Sequence, residues 1–150
     1  MKKLLLISFL CALITFLISC FAKEGKTAVQ QAVQQYQSDI DLLAIAVDEL
    51  VNAVETSSIR QLQNGFKKSR LAYKKVEWLA SYYNSYTAKQ INGPALPEVE
   101  PDAKNIIIQP EGFQVIEELI FPTYDAADKP ELLQEAKILR SNIKRLQVVA

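Results

Sequence analysis

Histidine is missing from all 150 residues, and with it go the commonest metal ligand, general base and haem ligand. The two cysteines, Cys11 and Cys20, both fall in the first twenty residues. The body of the chain therefore has no disulfide framework, no zinc cluster and no CxxCH haem attachment. Glycine is scarce, with four in the chain, and proline stands at six. That scarcity, together with long polar-apolar runs at helical period, predicts an all-helical chain rather than a sheet protein. Charge of one sign is lacking too: the formal net charge is zero, and removing the leader with Lys2 and Lys3 leaves 15 basic against 17 acidic residues. Such a balance gives no electrostatic footprint for nucleic acid. At 150 residues and 49% hydrophobic, the chain is sized for one domain with one core.

What is present begins with a leader. "MKKLLLISFLCALITFLISC" opens on two lysines, continues through an apolar run and ends at Leu17-Ile18-Ser19-Cys20. Residues 1–19 read as a secretory signal of lipoprotein type, because the run ends like a bacterial lipobox, where the cysteine is acylated and becomes the mature N-terminus. A transmembrane anchor and simple cleavage after Ala22 are the alternatives. Acyl chains on Cys20 would hold residues 20–150 at a membrane face, each buried methylene contributing roughly 0.8 kcal/mol.

From Lys26 onward the apolar positions Val29, Val33, Tyr36, Ile40, Leu43, Val47, Leu50 and Val54 step by four and three, which predicts an amphipathic helix with a bundle-type seam. Thr56, Ser57 or Ser58 can cap the next helix. Its stripe is Ile59, Leu62, Phe66, Tyr73, Val76, Ala80 and Tyr83, and it is expected to run to about Ser85, antiparallel to the first. Gly65 within it suggests close helix approach. Residues 86–111 hold Gly93, Pro94, Pro97, Pro101 and Pro110, too many breakers for a helix or a central strand. A long proline-rich loop is expected there, with the isoleucines of "NIIIQ" pinning it to the bundle or forming a short extended piece. A third helix is expected from Pro110 to just before Pro122. Asp128-Lys129-Pro130-Glu131 fits a capping box opening a last helix with the stripe Leu132, Ala136, Leu139, Ile143 and Leu146. That helix reaches "RLQVVA" with no cap or change of pattern, so the domain is expected to be truncated at its C-terminal end. The fold class is all-α, an up-down helical bundle.

Arg70, Tyr73 and Glu77 sit three and four apart and share a face that overlaps the apolar stripe. A buried guanidinium requires a carboxylate partner, and Gln114, Glu117 and Glu118 of the third helix are the available candidates. An Arg70 to Glu117 contact, structural and partly buried, is the sharper reading; solvated Arg70 and Glu77 is the plainer one. Trp78, Tyr82, Tyr83 and Tyr86 can line a groove, although aromatics at such spacing more often belong to a core or an interface. Paired carboxylates alone do not make a glycosidase site.

"GFQVIEELIF" resembles the GxHxxE signature of the imelysin family, with Gly112, Gln114 and Glu117 in its three places. "RLAYKKVEWLASYY", "INGPALPEVE" and "PEGFQVIEELIFP", in this order, resemble more closely the imelysin-like N-terminal region of certain di-haem cytochrome c peroxidases of Bacteroidetes. The resemblance covers most of residues 20–150. It implies an all-helical domain exported to the periplasm or cell surface, in a family linked to iron uptake and once regarded as metallopeptidases. The chain departs from the pattern where the family has histidine: Gln114 offers a neutral amide, a poor ligand for zinc or iron. A peptidase would also need further ligands and a base, for which no motif is present.

These readings together predict a membrane-anchored binding or docking module without catalytic residues, metal ligands or haem of its own. Haem would enter only through a peroxidase domain beyond Ala150. Its expected partners are the membrane, through Cys20, and a peroxidase domain or redox partner; nucleic acid is not among them. Arg70, Tyr73, Glu77, Gly112, Gln114 and Glu117 form its expected binding or structural polar cluster. A stand-alone lipoprotein that binds iron or a small ligand is the alternative.

Overall fold

The computed structural model describes residues 27–56, 58–100 and 102–149; the signal segment and Cys20 lie outside them. The chain divides after Val33, and the packing below concerns the unit Gln34–Ala150. The elements are helix α1 (Ala28–Thr56), α2 (Ile59–Tyr83), α3 (Ser85–Asn92), strands β1 (Glu98–Glu100) and β2 (Ala103–Ile108), α4 (Phe113–Ile120), a 3-10 turn (Ala126–Asp128) and α5 (Lys129–Val149). The architecture is an all-α helical bundle carrying one small hairpin.

The seams follow the periodicity. Ile40, Leu43, Val47, Leu50 and Val54 of α1, Leu62, Phe66, Tyr73, Val76 and Ala80 of α2, and the whole stripe of α5 are buried in one core. Ile59 and Tyr83 are exposed, so the stripe of α2 reaches beyond the surface its neighbours cover; Val29 and Val33 of the first unit are exposed as well. Ser58 is the N-cap of α2, its backbone N–H donating to Gln61 Oε1 at 3.0 Å. Opposite Gly65 stand the Leu50 backbone and Ala53, at ordinary van der Waals distance from where a Cβ would lie. There α1 and α2 pass closely and antiparallel, and Lys68 of α2 pairs with Glu49 of α1.

α1 carries Asp39, Asp41, Asp48, Glu49 and Glu55 and no basic residue. Both of its flanks answer that charge. On the other side from α2, Arg140 of α5 approaches Asp48 at 3.8 Å, Gln147 donates to Asp41 at 2.8 Å, and Lys129 donates to the Glu55 carbonyl at 3.0 Å. The pairs are exposed and each contributes little singly; together they favour this helix order.

The segment expected to be one loop is more ordered. α2 stops at Tyr83, with Asn84 as its C-cap, and the same residue is the N-cap of α3. Asparagine and serine compete with helical hydrogen bonding through their side chains, and the break at Asn84-Ser85 turns the chain so that Ala88 and Ile91 enter the core. Farther on, the prolines bound strands rather than a coil: Glu98 pairs with Ile108 and Val99 with Ile107, antiparallel, with a bulge before Glu100. Ile106, Ile107 and Ile108 are exposed. The isoleucines therefore build β2 and do not pin the segment to the bundle. One further boundary differs from expectation: α4 starts at Phe113 after Gly112, not at Pro110. α5 begins at Lys129, directly after Asp128 as expected, and the 3-10 turn before it is capped by Asp125, whose carboxylate accepts from the Ala127 N–H at 2.9 Å.

Candidate functional site: a polar junction of α2, α3 and α4

α4 is strongly amphipathic, with Phe113, Ile116 and Ile120 buried. Its entry depends on Gly112. That residue has φ 93°, a region costly for a side chain, and a Cβ there would collide with the Gln90 and Ile91 carbonyl oxygens. The glycine thus lets α4 begin directly against the C-terminal carbonyls of α3.

Phe113 then anchors an aromatic group, its ring centroid 6.0 Å from Phe66 and 5.5 Å from Tyr73. Over its ring, 5.6 Å from the centroid, lies the Arg70 guanidinium. Arg70 is 24% exposed at its side chain and donates from Nη1 to Asn92 Oδ1. The other half of the Asn92 amide donates to Glu77 Oε1 at 2.9 Å, and Lys74 Nζ donates to Glu77 Oε2 at 2.6 Å. Gln114 Nε2 donates to the Asn92 carbonyl at 3.2 Å, satisfying one of the acceptors that a helix end leaves free. Glu117 Oε2 lies 4.0 Å from Arg70 Nη2, and its side chain is 50% exposed.

The structure accordingly gathers Arg70, Glu77, Gln114 and Glu117 into one network seated on Gly112. Tyr73 adjoins it from the core side: its hydroxyl donates to the Ala88 carbonyl at 3.4 Å, and burial, then the Glu77 charge, push its pKa upward against the lowering effect of Arg70. The expected Arg70 to Glu117 pair is the outer, weaker contact, because Glu117 faces water. Arg70 has Asn92 as its main partner. Asn92 and Lys74 were not anticipated; the readable signal for Asn92 is its position as the last residue before a Gly-Pro stop, where a side chain of α3 meets the end of α4. Glu118 is exposed and takes no part in these contacts. Neither does the aromatic set: Trp78, Tyr82, Tyr83 and Tyr86 are all exposed.

Behind Gly112 stands Glu135 of α5. Burial pushes its pKa up, the nearby Glu111 and then Glu131 charges add to that, and the Gly112 backbone N–H offsets part of it. Its Oε2 is buried and accepts no hydrogen bond among the described residues.

The network's chemistry is that of a fastener. A shallow cleft of about 250 Å³ lies beside it, lined in part by Glu77, Ser81, Ser85, Lys89 and Asn92. The imelysin-signature positions fit a divalent cation poorly: they offer the neutral Gln114 amide oxygen and the Glu117 carboxylate, and the Arg70 guanidinium already stands 4.0 Å from that carboxylate. The described residues contain no histidine, cysteine or methionine to offer haem as an axial ligand. Among those residues no three His, Cys, Asp or Glu side chains converge as a metal group, and no helix is long and apolar enough to cross a membrane. No family model matches the chain, and neither a curated protein nor a solved structure matches it.

Proposed function

We propose that the chain is an exported, membrane-anchored, imelysin-like helical docking module, akin to the N-terminal part of a di-haem cytochrome c peroxidase, that holds a peroxidase domain or redox partner and performs no reaction itself. The observation that carries this reading is where the polar and apolar groups are spent. Arg70, Glu77, Asn92 and Gln114 bond to one another and join three helices. Large apolar side chains meanwhile remain outside, including Val99, Ile106, Ile107 and Ile108 on a two-stranded hairpin whose outer edges are unpaired among the described residues. Open strand edges with apolar side chains favour pairing with another chain.

The test has two arms. The full chain in lipid nanodiscs is titrated with a di-haem cytochrome c peroxidase by biolayer interferometry. Saturable binding that Ile107→Asp abolishes supports docking through the hairpin, and no binding by the natural chain overturns it. Labelled fatty acid should enter the natural chain and not Cys20→Ser; equal labelling of both overturns the anchor. Sub-micromolar iron or zinc affinity would instead favour a stand-alone metal-binding lipoprotein.

A further inference from the structure

α2 has a second face that the bundle does not use. Lys67, Leu71, Lys74, Lys75, Trp78 and Tyr82 recur at steps that place them on one side of the helix, opposite the buried Phe66, Ser69, Tyr73, Val76 and Ala80. All six are exposed, with Leu71 at 69%, Trp78 at 69% and Tyr82 at 79%. The helix carries Arg60, Lys67, Lys68, Arg70, Lys74 and Lys75 against Glu77 as its one acid. In a chain of zero net charge, that is a concentrated positive element. Glu77 is turned toward Asn92 and Lys74, and Lys68 toward Glu49. Lys67 and Lys75 have no ion-pair partner among the described residues, and Lys67 lies 5.7 Å from the Phe121 ring.

We infer that this face of α2 seats on an anionic bilayer surface, with Lys67 and Lys75 at the headgroup charges and Leu71, Trp78 and Tyr82 in the interfacial layer. Tryptophan and tyrosine suit that layer because one end of each ring is apolar and the other polar, and lysines add electrostatic attraction to anionic lipid. The stripe runs in line from Lys67 to Tyr82, about 22 Å at 1.5 Å rise, and so offers a plane with a line of contacts and not a groove. A polyanionic strand fits less well, because Leu71 gives no stacking face in mid-stripe. The seat deepens the membrane part of the function proposed above but does not rest on acylation of Cys20.

Trp78 is the only tryptophan of the chain, so its emission reports this face alone. The full-length chain, natural and Cys20→Ser, is added to vesicles of phosphatidylcholine and of phosphatidylcholine with phosphatidylglycerol. On the anionic vesicles a blue shift of Trp78 and protection from iodide quenching are expected from both chains, reversed by high salt; on the neutral vesicles the shift should be much smaller. Lys67→Glu with Lys75→Glu should weaken partitioning roughly tenfold or more, with helicity unchanged by circular dichroism. If that double variant misfolds, salt reversal with the natural chain decides. Trp78 remaining open to iodide on anionic vesicles overturns the proposal, as does protection by single-stranded DNA in place of vesicles. Retained protection of an unlabelled Cys20 chain would support the seat while removing the anchor.

Discussion

At the residue scale the clearest constraint is Gly112. An added methyl faces both a positive φ and two carbonyl oxygens at the end of α3, so Gly112→Ala is expected to cost about 3 kcal/mol, read as a lower urea midpoint. Arg70→Ala should cost less, about 1–2 kcal/mol, since it removes one hydrogen bond and a stacked ring contact while leaving Glu117 in water. A loss above about 3 kcal/mol would mean that Glu117 is held as a buried ion partner. Glu135 sets a pH dependence of opposite sense to an ion-paired carboxylate. Burial makes the folded chain hold this proton more tightly than the unfolded one, so its contribution is intact below the ordinary glutamate value, roughly pH 4, and falls as pH rises through the raised value. Glu135→Gln should therefore melt higher than the natural chain at neutral pH, with the gap closing toward pH 4.

At the scale of elements, the three long helices were legible because Ile40 to Val54 and Leu132 to Leu146 keep the helical period without interruption, and Leu62 to Ala80 keeps it with Ser69 as its one polar step. α3 was hidden by its length: eight residues with three buried positions, Thr87, Ala88 and Ile91, present too little period to separate from a proline-rich loop. The hairpin was hidden for a different reason, since its isoleucines promise burial that the pairing itself does not provide. The site was half legible. Arg70 and Gln114 stood out as polar groups on apolar faces, whereas Asn92 matters only because two helix ends meet at it. These elements should respond unequally to substitution. Ile116→Ala in α4 opens a cavity in the core and is expected to cost 2–5 kcal/mol, while Ile107→Asp in β2 should move stability by less than about 0.5 kcal/mol; paired thermal melts check both.

At the scale of the whole molecule, three helices converge on one asparagine, and the residue after it is Gly93. An Asn-Gly peptide is chemically fragile: the glycine nitrogen attacks the side-chain carbonyl, ammonia leaves, and hydrolysis of the ring leaves a carboxylate. The fold obstructs that attack, because the Gly93 N–H is bonded to the Lys89 carbonyl at 2.6 Å and the Asn92 amide is engaged by Arg70 and Glu77. Opening of the junction removes both obstacles. Deamidation at Asn92, followed by peptide mass mapping during storage, is thus expected to accumulate in proportion to time spent open and to run faster in Gly112→Ala than in the natural chain. Each event would set a new negative charge against Glu77, so the junction that fastens the bundle also keeps a chemical record of its age.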